Sequence, residues 1–288
     1  MRRRGWRAST TNETRGVNPL NRALADATDR LRSTSDTARL DAELLMAHAL
    51  DIERDVLLLA LPGGAAPAHF RDLVERRAEG EPVAYITGRR AFWNIELSVG
   101  PGALIPRPDS ETLIAAAIGH FAGTDGPKRI LDLGTGPGTL LLAALDQWPA
   151  ATGLGIDASD EALDYARANA RRLGLAPRAE LRTGNWANGI NERFDLLLIN
   201  PPYVADQAEL GPGVAEYEPA EALFAGPDGL DDYRRLAPEI GRLIAPGGLA
   251  AIEIGHDQAE SAAALFNTAG HDVRLSRDLA GRARALLI

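Results

Sequence analysis

From Arg129 onward the sequence alternates short apolar runs with longer amphipathic ones, and this alternation restricts the possible fold more than any other feature. Arg129–Leu133, Thr152–Ile156, Ala179–Thr183, Phe194–Ile199 and Gly248–Ile254 read as strands, short and bounded by turn residues. Thr139–Gln147, Ser159–Leu173, Leu230–Ile244 and Ala259–Thr268 read as helices, with Gly174 closing the second and Pro238 kinking the third. Strands that alternate with helices predict an α/β sheet covered on both faces. Asp272–Ser276 and Arg284–Ile288 add a last strand pair, which makes seven strands in a Rossmann-like arrangement.

The chain upstream has a different period. Residues 18–82 read as a small helical bundle. Leu20, Leu24, Ala27 and Leu31 share one helical face, and Ser35 or Asp36 is placed to cap a second helix carrying Leu40, Leu44, Leu45 and Ala49. A third helix is expected over Asp51–Leu61, ended by Pro62-Gly63-Gly64, and a fourth after Pro67 with Phe70, Leu73 and Val74 inward. No catalytic cluster occurs in this bundle, so substrate docking is its expected task. Residues 83–105 read as a β-hairpin linker, two strands (Val83–Gly88 and Ala91–Val99) about Gly88-Arg89-Arg90. Pro106-Arg107-Pro108 is then a stiff turn. Asp109 or Ser110 can cap the helix that carries Leu113, Ile114 and Ala117 at the start of the α/β domain, 106–288. The arginine-rich residues 1–17 lack the apolar segment of a secretory signal and are expected to be a disordered tail.

Composition removes several function classes. There is no cysteine, so disulfides, thiolate metal sites and cysteine nucleophiles are excluded, in keeping with a cytoplasmic location. No apolar run reaches the roughly 20 residues needed to span a bilayer. The net charge of −9 gives no basic stripe for gripping a nucleic-acid backbone. Lys128 is the sole lysine; so one-sided a choice of arginine reflects base composition rather than phosphate binding.

Two turns carry the chemistry. The first follows the first strand of the α/β domain: Asp132-Leu133-Gly134-Thr135-Gly136-Pro137-Gly138. Glycines here let the backbone bend tightly and approach a ligand closely. The spacing G-x-G-x-G departs from the G-x-G-x-x-G/A of dinucleotide sites, since position 139 is threonine, and this weakens a hydride-transfer reading. Asp157 ends the second strand, where a carboxylate can accept both ribose hydroxyls of a nucleotide-like cofactor. It could equally cap the next helix, as could Ser159. Asp132 could attract a cofactor ammonium or be structural. Trp186 follows the third strand and either stacks on adenine or sits in the core with its N–H satisfied.

The second turn is Asn200-Pro201-Pro202-Tyr203, after the fourth strand. The Asn200 side-chain oxygen and the Pro201 carbonyl can together accept both hydrogens of one NH₂ group, and proline offers no competing N–H. Tyr203 can stack on a flat π system. An amide nitrogen is a poor nucleophile because its lone pair is delocalised. Held with both hydrogens turned away from the attacking direction, it is directed toward an electrophilic methyl, so the catalytic contribution is chiefly orientation. The bland alternative is a strand-ending Asn-Pro turn.

With these segments in view, the chain resembles the HemK-type (PrmC) release-factor glutamine methyltransferases from about Asn18 to its end. Further segments carry the likeness: Gly80–Gly88, Leu104-Ile105-Pro106-Arg107-Pro108-Asp109-Ser110-Glu111, Tyr217-Glu218-Pro219 with Gly226–Asp231, and Glu253-Ile254-Gly255. The resemblance implies a class I methyltransferase sheet, S-adenosylmethionine as donor, no metal, and N5-methylation of the glutamine in the Gly-Gly-Gln loop of bacterial-type release factors. By position it implies donor binding by Gly134, Thr135, Gly136, Pro137, Gly138, Asp157, Trp186 and Asn200. It implies that Asn200, Pro201, Pro202 and Tyr203 hold the glutamine, with Asn200 and Pro201 catalytic. Asn185 stands where the family often has an acid. Phe92 and Arg107 are either pocket borders or, respectively, core packing and a surface arginine. A glutamine methyltransferase of a large-subunit ribosomal protein would share this chemistry. A methyltransferase of nucleic-acid base amino groups would share the second turn but would need a basic surface.

Overall fold

The computed structural model describes residues 18–59 and 63–288. The expected tail, and the proline expected to end the third helix, lie outside the described residues. The chain divides into two compact units between Val83 and Ala84.

In the first unit, helix α1 (Pro19–Leu31) is capped by Asn18, whose Oδ1 accepts the Leu20 N–H at 2.9 Å, and buries Leu20, Leu24, Ala27 and Leu31. It packs on α2 (Ala38–Leu50) and α4 (Phe70–Ala78), with the short α3 (Arg54–Leu59) between them in sequence. Neither Ser35 nor Asp36 caps α2, contrary to expectation. The Ser35 and Thr37 hydroxyls instead donate to the Asp41 carboxylate at 2.8 and 3.0 Å. Asp41 is buried and also meets Arg77 at 2.7 Å, while buried Glu43 is paired with Arg39 and Arg54. Buried carboxylates left unpaired would be costly, so these pairs are a condition for closing the bundle.

Residues 83–87 are a short helix, α5 (Val83–Thr87), not the first strand of a hairpin. The β-branched residues suggested a strand, but Ala84, Tyr85 and Ile86 are all buried in succession, and the Tyr85 hydroxyl donates to the Ala103 carbonyl at 2.6 Å. Tertiary packing has overridden local preference. The hairpin is β1 (Arg89–Phe92) with β2 (Ile95–Ser98), so its turn is Trp93-Asn94 rather than Gly88-Arg89-Arg90. Trp93 adopts φ 52°, a region unfavourable to a bulky residue. It is tied at both ends: its backbone N–H donates to Glu111 at 3.0 Å and its Nε1 to Gln147 at 3.3 Å. Phe92 is 1% exposed and belongs to the core.

After α6 (Glu111–His120) comes the sheet. Its strands are β3 (Arg129–Leu133), β4 (Thr152–Asp157), β5 (Ala179–Thr183), β6 (Phe194–Ile199), β7 (Ile244–Glu253), β8 (Arg274–Arg277) and β9 (Ala283–Leu287). Their order is β5-β4-β3-β6-β7-β9-β8. β3 to β7 run parallel, and β9 is antiparallel to both its neighbours. The helices between are α7 (Thr139–Gln147), α8 (Asp160–Arg172), the single turn α9 (Val214–Tyr217), α10 (Asp231–Leu243) and α11 (Ala259–Thr268). Leu131, Leu133, Leu197 and Ile199 face one apolar cluster and Ile130, Leu196 and Leu198 the other, so the central strands are buried on both sides. The chain moves outward from β3 in one direction through β4 and β5 and in the other through β6 and β7. This reversal opens a crevice at the carboxyl ends of β3 and β6, where ligands of such sheets bind. Among the described residues, no helix is long and apolar enough to cross a membrane.

Candidate active site

The crevice is a cavity of about 750 Å³, a size suited to a nucleoside-like ligand. Three strand ends supply its wall. After β3, the backbone N–H groups of Gly134 and Thr135 both donate to the Ile156 carbonyl at 2.9 and 3.0 Å, which binds the turn to β4. Gly134, Thr135, Gly136 and Pro137 line the cavity. Gly136 has φ +54°, and a Cβ built there would have nothing within 4 Å, so the missing side chain leaves room against the turn. Gly138 does not line it. It starts α7 at φ +87°, and a Cβ there would meet Leu142 at 2.7 Å, so this glycine serves helix packing.

Asp157, at the end of β4, lines the cavity and accepts the Gly136 N–H at 2.7 Å and the Ser159 N–H at 2.9 Å. The carboxylate thus secures the glycine turn and the start of α8 together. Two acceptor sites are then filled of the four or so that a carboxylate offers. The cap of α8 proper is Ser159, whose Oγ accepts the Ala162 N–H at 3.1 Å. Trp186 combines both readings of the sequence. Its ring borders the cavity, 3.4 Å from where a Cβ on Gly134 would lie, and its Nε1 donates to Asp232 at 3.2 Å. Burial pushes the Asp232 carboxyl upward.

Asp132 lines the cavity but is fully buried. Its Oδ2 accepts the Thr135 hydroxyl at 2.7 Å and the Leu141 N–H at 3.0 Å, while Oδ1 has no partner. Burial pushes its carboxyl up to about 7. A buried carboxylate with a spare oxygen at a ligand wall suits a cationic group, which would relieve that burial cost. In the protein alone, the folded state keeps a proton between the ordinary 3.8 and about 7 that the unfolded state has released. Stability therefore falls as pH rises across that window and levels off above it. Asp132→Asn should flatten this slope in thermal melts. Glu253, also pushed up to about 7 by burial, adds a slope of the same sign that the variant should retain. An unchanged slope in Asp132→Asn would mean that Asp132 does not carry this proton.

After β6, Asn200 and Pro202 line the cavity, whereas Pro201 and Tyr203 lie behind its surface. The Asn200 Nδ2 donates to the Ser110 hydroxyl at 3.3 Å. Among the described residues, neither its Oδ1 nor the Pro201 carbonyl has a hydrogen-bond partner, so two acceptors remain free. The Tyr203 hydroxyl donates to Glu253 at 3.2 Å and its ring packs against the core, with the hydroxyl pKa raised by burial. Arg107 lines the cavity and meets the buried Glu218 at 2.5 Å; Glu218 also accepts the Ile105 N–H at 3.0 Å. From the sequence Ser110 had only a capping role, and Glu218 and Asp232 had no individual role, although the segment Tyr217-Glu218-Pro219 signalled Glu218. Among the described residues, no group of three His, Asp or Glu could hold a metal ion.

A family model described as the PrmC N-terminal domain matches residues 22–88, and one described as a methyltransferase domain matches 125–270. A release factor glutamine methyltransferase of Caulobacter vibrioides is 43% identical over 280 residues, 93% of this chain and 95% of that protein. The chain belongs to the release factor glutamine methyltransferase family. A second member, from Rhodospirillum rubrum, is 44% identical over 86% of this chain and 78% of its own. The fold is shared more widely. A methyltransferase from Pyrococcus furiosus superimposes with TM-score 0.52 at 17% identity, covering 74% of this chain and 96% of its own. The hMettl16 catalytic domain does so with TM-score 0.57 at 16% identity, covering 84% and 91%. The family's sheet is therefore the class I methyltransferase sheet seen here, with β9 antiparallel beside β7.

Proposed function

We propose that the protein transfers a methyl group from S-adenosylmethionine to the side-chain amide nitrogen of the glutamine in the Gly-Gly-Gln loop of peptide chain release factors, in the cytoplasm. The observation that carries this reading is the free acceptor pair at the end of β6, beside a glycine-turn cavity of nucleoside size. The donor supplies an electrophilic methyl on a sulfonium. Gly134–Pro137 and Asp157 would hold its ribose side, Trp186 its adenine, and Asp132 its ammonium.

The chain's own residues then act on the glutamine. Asn200 Oδ1 and the Pro201 carbonyl accept its two N–H hydrogens and turn the lone-pair face of the nitrogen toward the methyl. Pro202 closes the wall beside it. Tyr203 acts from behind, its hydroxyl fixed on Glu253 so that the turn keeps its shape, rather than by stacking on the substrate amide. No strong base is required, because an amide nitrogen that has gained a methyl is strongly acidic and loses its proton to water. The amino-terminal helical unit is the part proposed to recognise the release factor.

The test is methyl transfer from labelled donor to intact release factor, to a mixture of large-subunit ribosomal proteins, and to duplex DNA. Label on the loop glutamine of the release factor is the expected result. Label on a ribosomal protein or on DNA, with the release factor untouched, would reject the assignment.

A further inference from the structure

The loop after β5 holds Trp186 in an unfavourable conformation. Its φ is 49°, in the left-handed region that a bulky side chain enters at a cost and keeps only where its surroundings demand it. Those surroundings are specific. Before the tryptophan, the Gly184 N–H donates to the Asp157 carbonyl at 2.9 Å. After it, Arg242 donates to the Ala187 carbonyl at 3.0 Å and also to the Ile190 carbonyl. Arg242 lies in the last turn of α10, and Asp232, which accepts the Trp186 Nε1–H at 3.2 Å, lies in the first. The two ends of one helix therefore grip the loop.

An indole has a single polar atom, and it is a donor. A hydrogen bond from it to a fixed acceptor sets the rotation of the ring. The benzo end of Trp186 lies beside Gly134, 3.4 Å from where a Cβ would stand, and the pyrrole end is tied to Asp232. Held at both ends, the ring borders the cavity in one attitude. We infer that Asp232 is a positioning residue for donor binding: it holds the Trp186 indole, against the strain of its backbone, at the angle that receives a flat base. The inference deepens the proposed function and rests on it for the identity of the donor.

Asp232 can act in this way because its own place is set from elsewhere. The segment Gly226–Asp231 fixes the start of α10. The Asp231 N–H donates to the Ala225 carbonyl at 3.2 Å, and the Leu230 N–H donates to the Asp228 carboxylate at 3.2 Å. Arg234, in the first turns of the helix, pairs with Asp228 at 2.5 Å and with Asp231 at 2.7 Å. None of these bonds involves the tryptophan loop, so the acceptor is placed independently of the ring it holds. Asp232 is itself buried, which strengthens a hydrogen bond to it relative to one at an open surface. Arg235 stands farther off, 3.7 Å from the oxygen that takes the indole proton.

Four variants test the inference: Asp232→Ala, Asp232→Asn, Trp186→Phe and the double variant Trp186→Phe with Asp232→Ala. Alanine removes the acceptor, asparagine keeps one oxygen for Nε1, and phenylalanine keeps a ring without the N–H. Asp232→Ala should raise the Kd and KM for S-adenosylmethionine about tenfold, the size of one hydrogen bond, and Asp232→Asn should recover most of that loss. At saturating donor, kcat should stay within about twofold, because Asn200 and Pro201 are untouched. Trp186→Phe should weaken the donor at least as much as Asp232→Ala, and adding Asp232→Ala to it should cost less than about twofold more. In protein labelled at its indole nitrogens, the Trp186 Nε1–H resonance should move in Asp232→Ala and return in Asp232→Asn. The resonance needs no donor, so it decides on the positioning bond whatever the donor is. Failure of S-adenosylmethionine to bind the unmodified protein would instead reject the proposed function. An indole resonance that Asp232→Ala leaves in place, donor affinity that it leaves unchanged, or a loss that Asp232→Asn does not restore would overturn the inference. So would a tenfold loss that persists in the Trp186→Phe background, since Asp232 would then act on the donor without the indole.

Discussion

Asn200→Ala should lower methyl transfer about a thousandfold while the protein remains folded, a loss of the size seen when one preorganised hydrogen-bonding group is taken from a reacting centre. The side chain makes one hydrogen bond, to Ser110, and borders a cavity, so its removal leaves no large void. The expected loss of stability is about 1 kcal/mol, within the range of a single hydrogen bond. The loss in rate is much larger because the Pro201 carbonyl alone cannot fix the plane of the substrate amide. The two effects separate in one experiment: a thermal melt close to that of the unmodified protein, and a single-turnover rate at saturating donor and release factor that is nearly abolished. A variant that retains a tenth or more of the rate would show that the oxygen of Asn200 does not hold the substrate nitrogen.

How much of this could be read from residues alone depended on whether the cause was local. β3 and β6 were legible to the residue because their apolar runs are buried and bounded by turns. α5 was not, since Val83, Ile86 and Thr87 favour strands, whereas the consecutive burial of Ala84, Tyr85 and Ile86 goes with a helix. The hairpin turn shifted for a similar reason: its position is fixed by Glu111 and Gln147, 18 and 54 residues away from Trp93. In the site, the glycine turn, Asp157, Trp186 and Asn200 carry their chemistry in their own residue types, and the structure brings them to one crevice. Ser110 was visible only as a helix cap because its partner Asn200 lies 90 residues downstream. Tyr203 was legible as an aromatic beside the asparagine, but the buried Glu253 that claims its hydroxyl belongs to a different strand.

Asp157→Ala should weaken S-adenosylmethionine binding about a hundredfold, the second-largest effect expected. Two contributions add. Hydrogen bonds from ribose hydroxyls to an ionised acceptor are worth about 1.5–3 kcal/mol each, and a net loss near 3 kcal/mol corresponds to about two powers of ten in affinity. The carboxylate also holds the Gly136 and Ser159 N–H groups, so the glycine turn would lose its tie to β4 on that side while keeping the bonds from Gly134 and Thr135 to the Ile156 carbonyl. Because those bonds remain, the turn should loosen rather than unfold. Asp157→Asn separates the contributions: its single remaining oxygen can keep one backbone N–H, and its NH₂ cannot accept a hydroxyl proton. Affinity in Asp157→Asn should therefore stay low while the thermal midpoint recovers toward that of the unmodified protein. Calorimetric titration with the donor, alongside melts of both variants, reads the two quantities independently. Donor affinity restored by the asparagine would assign Asp157 to securing the turn alone and would move ribose recognition elsewhere in the cavity.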